Sequence, residues 1–331
     1  MGGLPALEMG TLPDEAEVDG SPELRQFRLG ADAHGQRLDK VLAGLVPEFS
    51  RSHLQGLLVA GEVMLDGVRA TVASRKVRAG QALAITLVPP AEALAFTPQP
   101  IALDVVYEDE HILVINKPAG LVVHPAAGNW SGTLLNGLLA RDSQAARLPR
   151  AGIVHRLDKD TSGLMVVGRT LEAVTALVRD MAARDIKRRY LALAHGDVGS
   201  APFSIDAPVG RDAALRVRMA VTPHGKPART DVLPVACSGG ISAVRCELHT
   251  GRTHQIRVHL ASRGHPLVSD AVYGGKPALG LQRQALHAAE LALAHPVTRE
   301  CLRFETPPPP DFARAWAQVA EAQQGNAGSH H

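Results

Sequence analysis

The stretch IVHRLDKDTSGLMVVG at residues 153–168 joins two apolar runs through a short polar loop. The apolar runs, 153–154 and 164–168, have the aliphatic and β-branched composition of strands. The Thr-Ser-Gly sequence at 161–163 favours turns, so we expect the chain to bend there. A carboxylate in a loop anchored by strands is held in place. The stretch therefore predicts a β-sheet that carries Asp158 at the end of a strand.

Downstream of about residue 100, strand-like and helix-like apolar patterns follow one another without strict alternation. Strands are predicted at 111–115, 190–194, 243–248 and 285–294. Helices are predicted to begin after an N-cap at Thr170 and near Phe312. This mixture favours an α+β fold for the larger part of the chain.

A smaller module is predicted at residues 35–90. Two helices, near 36–45 and from an N-cap at Ser50 to Gly61, precede strands at 62–65 and within 77–87. This order resembles the small α/β S4 RNA-binding domain. The basic side chains expected to contact RNA phosphates are Arg37, Arg51, Arg75 and Lys76. The alternative is an accessory fold with a merely charged surface.

Composition predicts the other boundaries. Residues 1–34 are expected to form an acidic, disordered tail, 91–100 a Pro-rich linker, 101–325 the catalytic domain and 326–331 a second tail. The net charge is only +2, but six acids and no Lys or Arg lie within the first 24 residues. Without those acids, 35 basic residues face 27 acidic ones, which suits a polyanionic partner.

Composition also excludes several classes of protein. The three cysteines form no CxxC pair, and no His and acid cluster has ligand spacing, so neither a disulfide framework nor a metal site is predicted. No apolar run approaches the roughly 20 residues of a membrane helix, and no secretory signal is recognisable. We therefore expect a cytoplasmic protein without membrane contact. Phosphate-binding glycine motifs are absent, which predicts no nucleotide cofactor.

Five blocks of sequence resemble the RluA-type RNA pseudouridine synthases, and they occur in that family's order. The blocks are NKPAGLVVHP at 116–125, HRLDKDTSG at 155–163, KRRY at 187–190, TGRTHQIRVH at 250–259, and HPL at 265–267 with Asp270 and YGG at 273–275. The resemblance implies a mixed, mainly antiparallel, bisected sheet with a central cleft. It implies an isomerase that converts uridine to pseudouridine in large-subunit (23S) ribosomal RNA, at the helix 69 stem-loop, without a cofactor. We expect a monomer.

The resemblance makes Asp158 the catalytic carboxylate, which either bonds to the nucleoside or accepts the ribose 2′ proton. A buried carboxylate stays ionised only beside a cation. The resemblance places Arg257 there, and its planar fork can pair both carboxylate oxygens. Arg252 is the alternative. Tyr190 is expected to stack on uracil and to serve proton removal at C5.

Arg156 is expected to fill the gap that a flipped nucleotide leaves, with assistance from His155. The basic residues expected to guide the RNA backbone are Lys117, Lys187, Arg188 and Arg252. A non-catalytic RNA chaperone or assembly factor would use the same basic residues, and Asp158, Tyr190 and Arg257 argue against it. A glycoside hydrolase would need two carboxylates, and only one convincing candidate is present.

Overall fold

The computed structural model describes residues 22–88, 90–126, 128–215 and 218–320. Its contacts divide the chain into two compact units between Leu94 and Ala95. Within the described ranges, no helix is both long enough and apolar enough to cross a membrane. The predicted tail at 326–331 and most of the predicted acidic tail lie outside the described residues.

In the described part of the first unit, two α-helices pack on a four-stranded antiparallel sheet. Its elements are β1 Glu23–Arg28, α1 Leu38–Leu45, α2 Arg51–Ala60, β2 Val63–Leu65, β3 Val68–Arg69 and β4 Ala82–Leu87, with the sheet order β1-β4-β2-β3. Ser50 accepts the His53 backbone N–H, and Gly61 ends α2 in the left-handed conformation at φ 81°. The predicted helix caps and the S4-like order of elements are therefore present.

One boundary prediction was wrong. The sequence predicts a disordered tail that includes residues 23–28, but these residues form β1, which pairs with β4 over six residues. Phe27 packs against the core of the unit, so burial and backbone pairing order a segment whose charge suggested a tail. More than one strand is predicted within residues 77–87, but β4 is the only strand that the structure forms in this range, all of which is described.

The second unit is built on one large sheet. Its strands are β5 Asp104–Glu108, β6 Ile112–Lys117, β7 Ser162–Gly168, β8 Lys187–His195, β9 Phe203–Asp206, β12 Arg229–Ser238, β13 Ile241–Leu248, β14 Leu286–Ala294 and β15 Cys301–Glu305, in the order β5-β6-β7-β14-β8-β13-β12-β9 with β15 beside β14. A separate hairpin pairs β10 Val209–Arg211 with β11 Met219–Val221. The fold is α+β with a mixed sheet, as predicted.

The large sheet consists of two antiparallel halves that join at β7 and β14. These two strands run parallel and share only two residue pairs, of which one joins Gly163 to Ala288. Gly163 has φ 115°, and a Cβ there would lie 2.2 Å from the Ala288 carbonyl oxygen. Glycine is therefore required where the two halves meet.

Four helices pack on this sheet: α3 Leu134–Arg141, α4 Leu171–Ala183, α5 Gln255–Ser262 and α6 Pro310–Ala320. Thr133 and Thr170 cap α3 and α4 by accepting backbone N–H groups. The segment after Leu94, predicted to be a free linker, is attached to α3. The Asn136 side chain donates to the carbonyl oxygens of Ala95 and Thr97, because these backbone groups find no partner in a strand.

The predicted strand at 153–154 is also wrong. Ile153 forms one isolated bridge with Val167, and the chain then leaves the sheet. β14 pairs only with the first two residues of β7, Ser162 and Gly163. The same edge of β7 is therefore unpaired near its C-terminal end, where Val167 can form the bridge with Ile153. Residues 154–161 are thus a loop that leads directly into β7 at the junction of the two half-sheets.

Candidate active site

A cleft of about 910 Å³ opens beside the loop that precedes β7. Its charged lining residues are Arg150, Arg156, Asp158, Arg184, Arg188 and Arg252. Among the described lining residues, Asp158 is the only acid against five arginines. The concave wall is therefore strongly positive although the whole chain carries a net charge of only +2. A surface with this charge attracts a polyanion, and the bound polyanion would then lie beside the one carboxylate of the cleft, Asp158.

Asp158 lies within an ion-pair chain. Nη1 of Arg257 donates to Oδ2 of Asp158 at 3.0 Å, while its Nε and Nη2 donate to Asp270 at 2.7 and 2.9 Å. The side chains of Arg257 and Asp270 are 6% and 1% exposed, against 15% for Asp158. The two carboxylates together raise the pKa of Arg257 despite its burial. Arg257 thus places a fixed positive charge in direct contact with the carboxylate of Asp158.

The contact between Arg257 and Asp158 joins α5 to a loop 99 residues away in the sequence. One detail of the prediction was wrong: the fork of Arg257 holds both oxygens of Asp270, and only its third nitrogen reaches Asp158. The sequence blocks contained Asp270, but nothing in them indicated this partner. Arg252 instead donates to the Pro227 carbonyl oxygen and lines the cleft.

The basic run before Tyr190 divides between the two faces of β8. Arg188 and Tyr190 are buried and line the cleft, whereas Lys187 and Arg189 are exposed on the other face. Lys187 lies 4.0 Å from Glu247, and Arg189 donates to Glu247 at 2.8 Å. Lys187 therefore does not line the cleft, because successive residues of a strand point to opposite sides.

Tyr190 contributes its ring to the wall of the cleft. It is 5% exposed, and burial raises the pKa of its hydroxyl above the ordinary value. The phenol is therefore protonated at neutral pH. The structure brings Tyr190 and Asp158 to the same cleft, as the sequence predicted.

Lys117 does not contact solvent, so its predicted contact with the RNA backbone is wrong. Its side chain is fully buried, and its Nζ donates to the carbonyl oxygens of Pro118, Leu121 and Lys159. Burial lowers the pKa of Lys117 to about 7. Three acceptors match the three N–H groups of an ammonium, and one of them is next to Asp158 in the chain. Lys117 thus binds the backbone of the loop that carries Asp158 from the buried side of that loop.

Further contacts hold the same loop from the start of β14. Arg283 donates to the Asp160 carbonyl oxygen at 3.0 Å and, through its other nitrogens, to Asp311 of α6. The Ser162 hydroxyl lies 3.0 Å from Nδ1 of His287. No sequence pattern predicts these supports, since they follow from how α6 and β14 pack. They place Asp158 on a rigid loop rather than a mobile one.

Arg156 and His155 have different surroundings. Arg156 is exposed and lines the cleft. Nε2 of His155 accepts the Val166 backbone N–H at 3.1 Å, and burial lowers the pKa of His155 to about 3. His155 is therefore neutral and ties the loop to β7, which makes it a support more than an RNA contact.

In the first unit, two of the four residues predicted to contact phosphate already form ion pairs within the protein. Arg37 and Arg51 both donate to the buried carboxylate of Asp39 and hold its pKa far below the usual range. Their side chains are still about half exposed, so each can also meet an anion. Arg75 and Lys76 are exposed. Within the described residues, no group of three His, Cys, Asp or Glu side chains is arranged to hold a metal ion.

Comparison with known proteins identifies the class. Residues 111–262 match the model of the RNA pseudouridylate synthase family, and residues 36–83 match the S4 domain. The human RNA pseudouridylate synthase domain-containing protein 1 superimposes with a TM-score of 0.51 at 26% identity, over 70% of this chain and 98% of its own. This chain belongs to the RluA-type family of RNA pseudouridine synthases.

Curated relatives of high similarity carry a more particular name. A ribosomal large subunit pseudouridine synthase D from Neisseria meningitidis serogroup B is 49% identical over 84% of this chain and 77% of its own length. Proteins of the same name from Xanthomonas campestris and Pseudomonas aeruginosa are 45% and 48% identical, over 94% and 86% of this chain and 97% and 91% of their own lengths. The chain is thus an RNA-modifying isomerase by family.

Proposed function

We propose that this chain converts specific uridines of large-subunit (23S) ribosomal RNA to pseudouridine, within the helix 69 stem-loop. The reaction breaks the bond between ribose C1′ and uracil N1, turns the base and rejoins it through C5. The names of the similar relatives support the large-subunit substrate. The observation that carries the proposal is the arginine-lined cleft with its single acid, Asp158, paired to Arg257.

In this proposal Asp158 acts on the sugar. It either attacks C1′ or accepts the proton from the 2′ position, and both routes need an ionised carboxylate. Arg257 donates a hydrogen bond to this carboxylate and is itself held by Asp270. Tyr190 packs its ring against the uracil. Because its hydroxyl is protonated at neutral pH, it can take the proton from C5 only while it releases its own proton to solvent water.

The RNA has to expose the target nucleotide before Asp158 can reach it. Arg156 is exposed beside the reactive loop, and we propose that it enters the space that the flipped nucleotide vacates. Arg188 and Arg252 line the same cleft and would contact the phosphates that flank that nucleotide. In the S4 domain, Arg75 and Lys76 are two of the exposed cations, and we propose that they contact RNA together with Arg37 and Arg51.

A non-catalytic RNA chaperone remains the alternative, and the buried charges argue against it. A chaperone needs exposed cations and has no use for a nearly buried chain of Asp158, Arg257 and Asp270, which costs free energy to desolvate. A glycoside hydrolase would need a second carboxylate in the cleft, and no described lining residue supplies one. Absence of a cofactor, a monomeric state and a cytoplasmic location stay predictions.

Pseudouridine mapping tests the proposal directly. We expect ribosomal RNA from cells that lack this protein to lose pseudouridine at one or a few positions of the 23S stem-loop. Expression of the wild-type chain should restore those positions, and expression of the Asp158→Asn chain should not. An unchanged pseudouridine map would contradict the proposed activity, and a loss elsewhere in the RNA would contradict only the helix 69 assignment.

Tryptophan fluorescence can report RNA in the cleft. The chain has two tryptophans: Trp130 lines the cleft, whereas Trp316 stacks on Phe312 of α6. We expect RNA to change the emission of a Trp316→Phe variant, whose only tryptophan is Trp130, because a nucleobase or phosphate will approach the indole. The matched Trp130→Phe variant should respond little. An equal response of both variants would place the RNA elsewhere.

A further inference from the structure

The hydroxyl of Tyr273 connects a backbone amide to the ring of His254. The N–H of Met219 donates to this hydroxyl at 3.1 Å, and Nδ1 of His254 lies 2.8 Å from the same oxygen. The hydroxyl satisfies both neighbours, and uses its own proton, when it donates that proton to Nδ1. A neutral imidazole that accepts at Nδ1 carries its proton on Nε2. The network therefore assigns to His254 the tautomer with an N–H group at Nε2.

This N–H group lies beside the reactive carboxylate. Nε2 of His254 is 3.8 Å from Oδ1 of Asp158, which is too long for a direct hydrogen bond. One hydroxyl oxygen can lie about 2.8 Å from both atoms, because two contacts of that length span a base of 3.8 Å. Such an oxygen would accept from Nε2–H and donate its proton to Oδ1. The pair thus forms a receptor for a group that is both donor and acceptor.

We propose that His254 and Asp158 together bind the ribose 2′-hydroxyl of the target uridine, and that His254 thereby selects RNA over DNA. The inference rests on the proposed function, which brings Asp158 to the sugar. The 2′-hydroxyl is both donor and acceptor, and its carbon is bonded to C1′, where the glycosidic bond breaks. The N3–H and O2 edge of uracil could also bridge the pair, but the chemistry requires the sugar at Asp158.

Two substitutions of His254 distinguish the effect of losing its N–H donor from the effect of losing its imidazole ring. His254 has φ 57° at the start of α5, a left-handed conformation that asparagine tolerates well. In His254→Asn the amide ends at the level of Nδ1, so no donor reaches the cleft. In His254→Gln the longer side chain can place an amide N–H near the position of Nε2. The first variant should lose the contact and the second should keep it.

Binding of two unreactive RNAs tests the contact without turnover. One stem-loop carries pseudouridine at the target position, and the other carries 2′-deoxypseudouridine there. We expect the wild-type protein to bind the ribo form at least about tenfold more tightly, since the hydroxyl also meets the charged Asp158. His254→Asn should reduce this ratio about fivefold, the worth of one neutral hydrogen bond, and His254→Gln should largely preserve it.

Two further outcomes overturn the inference in distinguishable ways. If the wild-type protein isomerises the uridine form of the RNA but the ratio is unchanged in His254→Asn, or equally reduced in both variants, then His254 does not read the 2′-hydroxyl. If the wild-type protein forms no pseudouridine in any ribosomal RNA, the proposed function fails and takes this inference with it. Thermal unfolding of both variants near that of the wild type excludes misfolding.

Discussion

Replacement of Asp158 by asparagine is expected to lower pseudouridine formation at least about 10³-fold, the effect typical of losing a group that acts on the reacting atoms. Asparagine has the same shape but neither attacks C1′ nor accepts a proton. The fold should persist, because Asp270 still holds the fork of Arg257. Single-turnover formation of pseudouridine in a 23S stem-loop measures the loss.

The same variant should bind RNA at least as tightly as the wild type. Asp158 is the only acid among the described lining residues of the cleft, so its neutralisation removes a repulsion toward phosphate. Asp160→Asn is the matched control, because it changes a carboxylate of the same loop that does not line the cleft, and its activity should stay within about threefold. Comparable losses in both variants, or turnover within tenfold of wild type in Asp158→Asn, would remove Asp158 from the mechanism.

Replacement of Arg257 by lysine is expected to damage both stability and catalysis. A lysine ammonium cannot donate to both oxygens of Asp270 and also to Asp158 in the planar arrangement that guanidinium provides. With Asp270 1% exposed, a poorly paired carboxylate there should lower the free energy of unfolding by about 3 kcal/mol. Asp158 also loses its fixed cation, and we expect turnover to fall roughly 100-fold. Denaturant unfolding and single-turnover assays measure the two effects.

Arg189→Lys is the control for this second substitution. Arg189 also bridges two acids, Glu247 and Glu290, but its side chain is 46% exposed and lies on the other face of β8. Solvent screens such pairs, so we expect a change below about 1 kcal/mol and almost normal turnover. Equal destabilisation of the two variants would contradict the prediction that burial makes the Arg257 ion pairs more important for the free energy of unfolding than exposed ion pairs.

Local apolar patterns predicted the α+β class, and the order of the motifs predicted the family. Asp158, Tyr190 and Arg257 come from separate blocks, and the resemblance alone brought them together. The alternation of β8 could also have separated Arg188 from Lys187, since strand period decides which side chain faces the cleft.

Other errors could not have been avoided from the sequence. A count of basic residues does not reveal whether a cation already has a partner within the protein. Lys117 is bound by backbone carbonyl groups, and Arg37 is bound by Asp39. The ordered strand at 23–28 depends on pairing with β4, almost 60 residues later. The supports from Arg283 and Asp270 likewise arise only when distant segments pack together.

The short parallel contact between β7 and β14 has a consequence for the origin of precision in this enzyme. The loop that carries Asp158 enters the sheet at the seam between its halves, where Gly163 touches Ala288. Gly163 lies five residues after Asp158, so movement of the Asp158 carboxylate is limited by this close backbone contact between the two half-sheets. If Asp158 acts as proposed, we expect the RNA to rearrange more than the protein when the two bind.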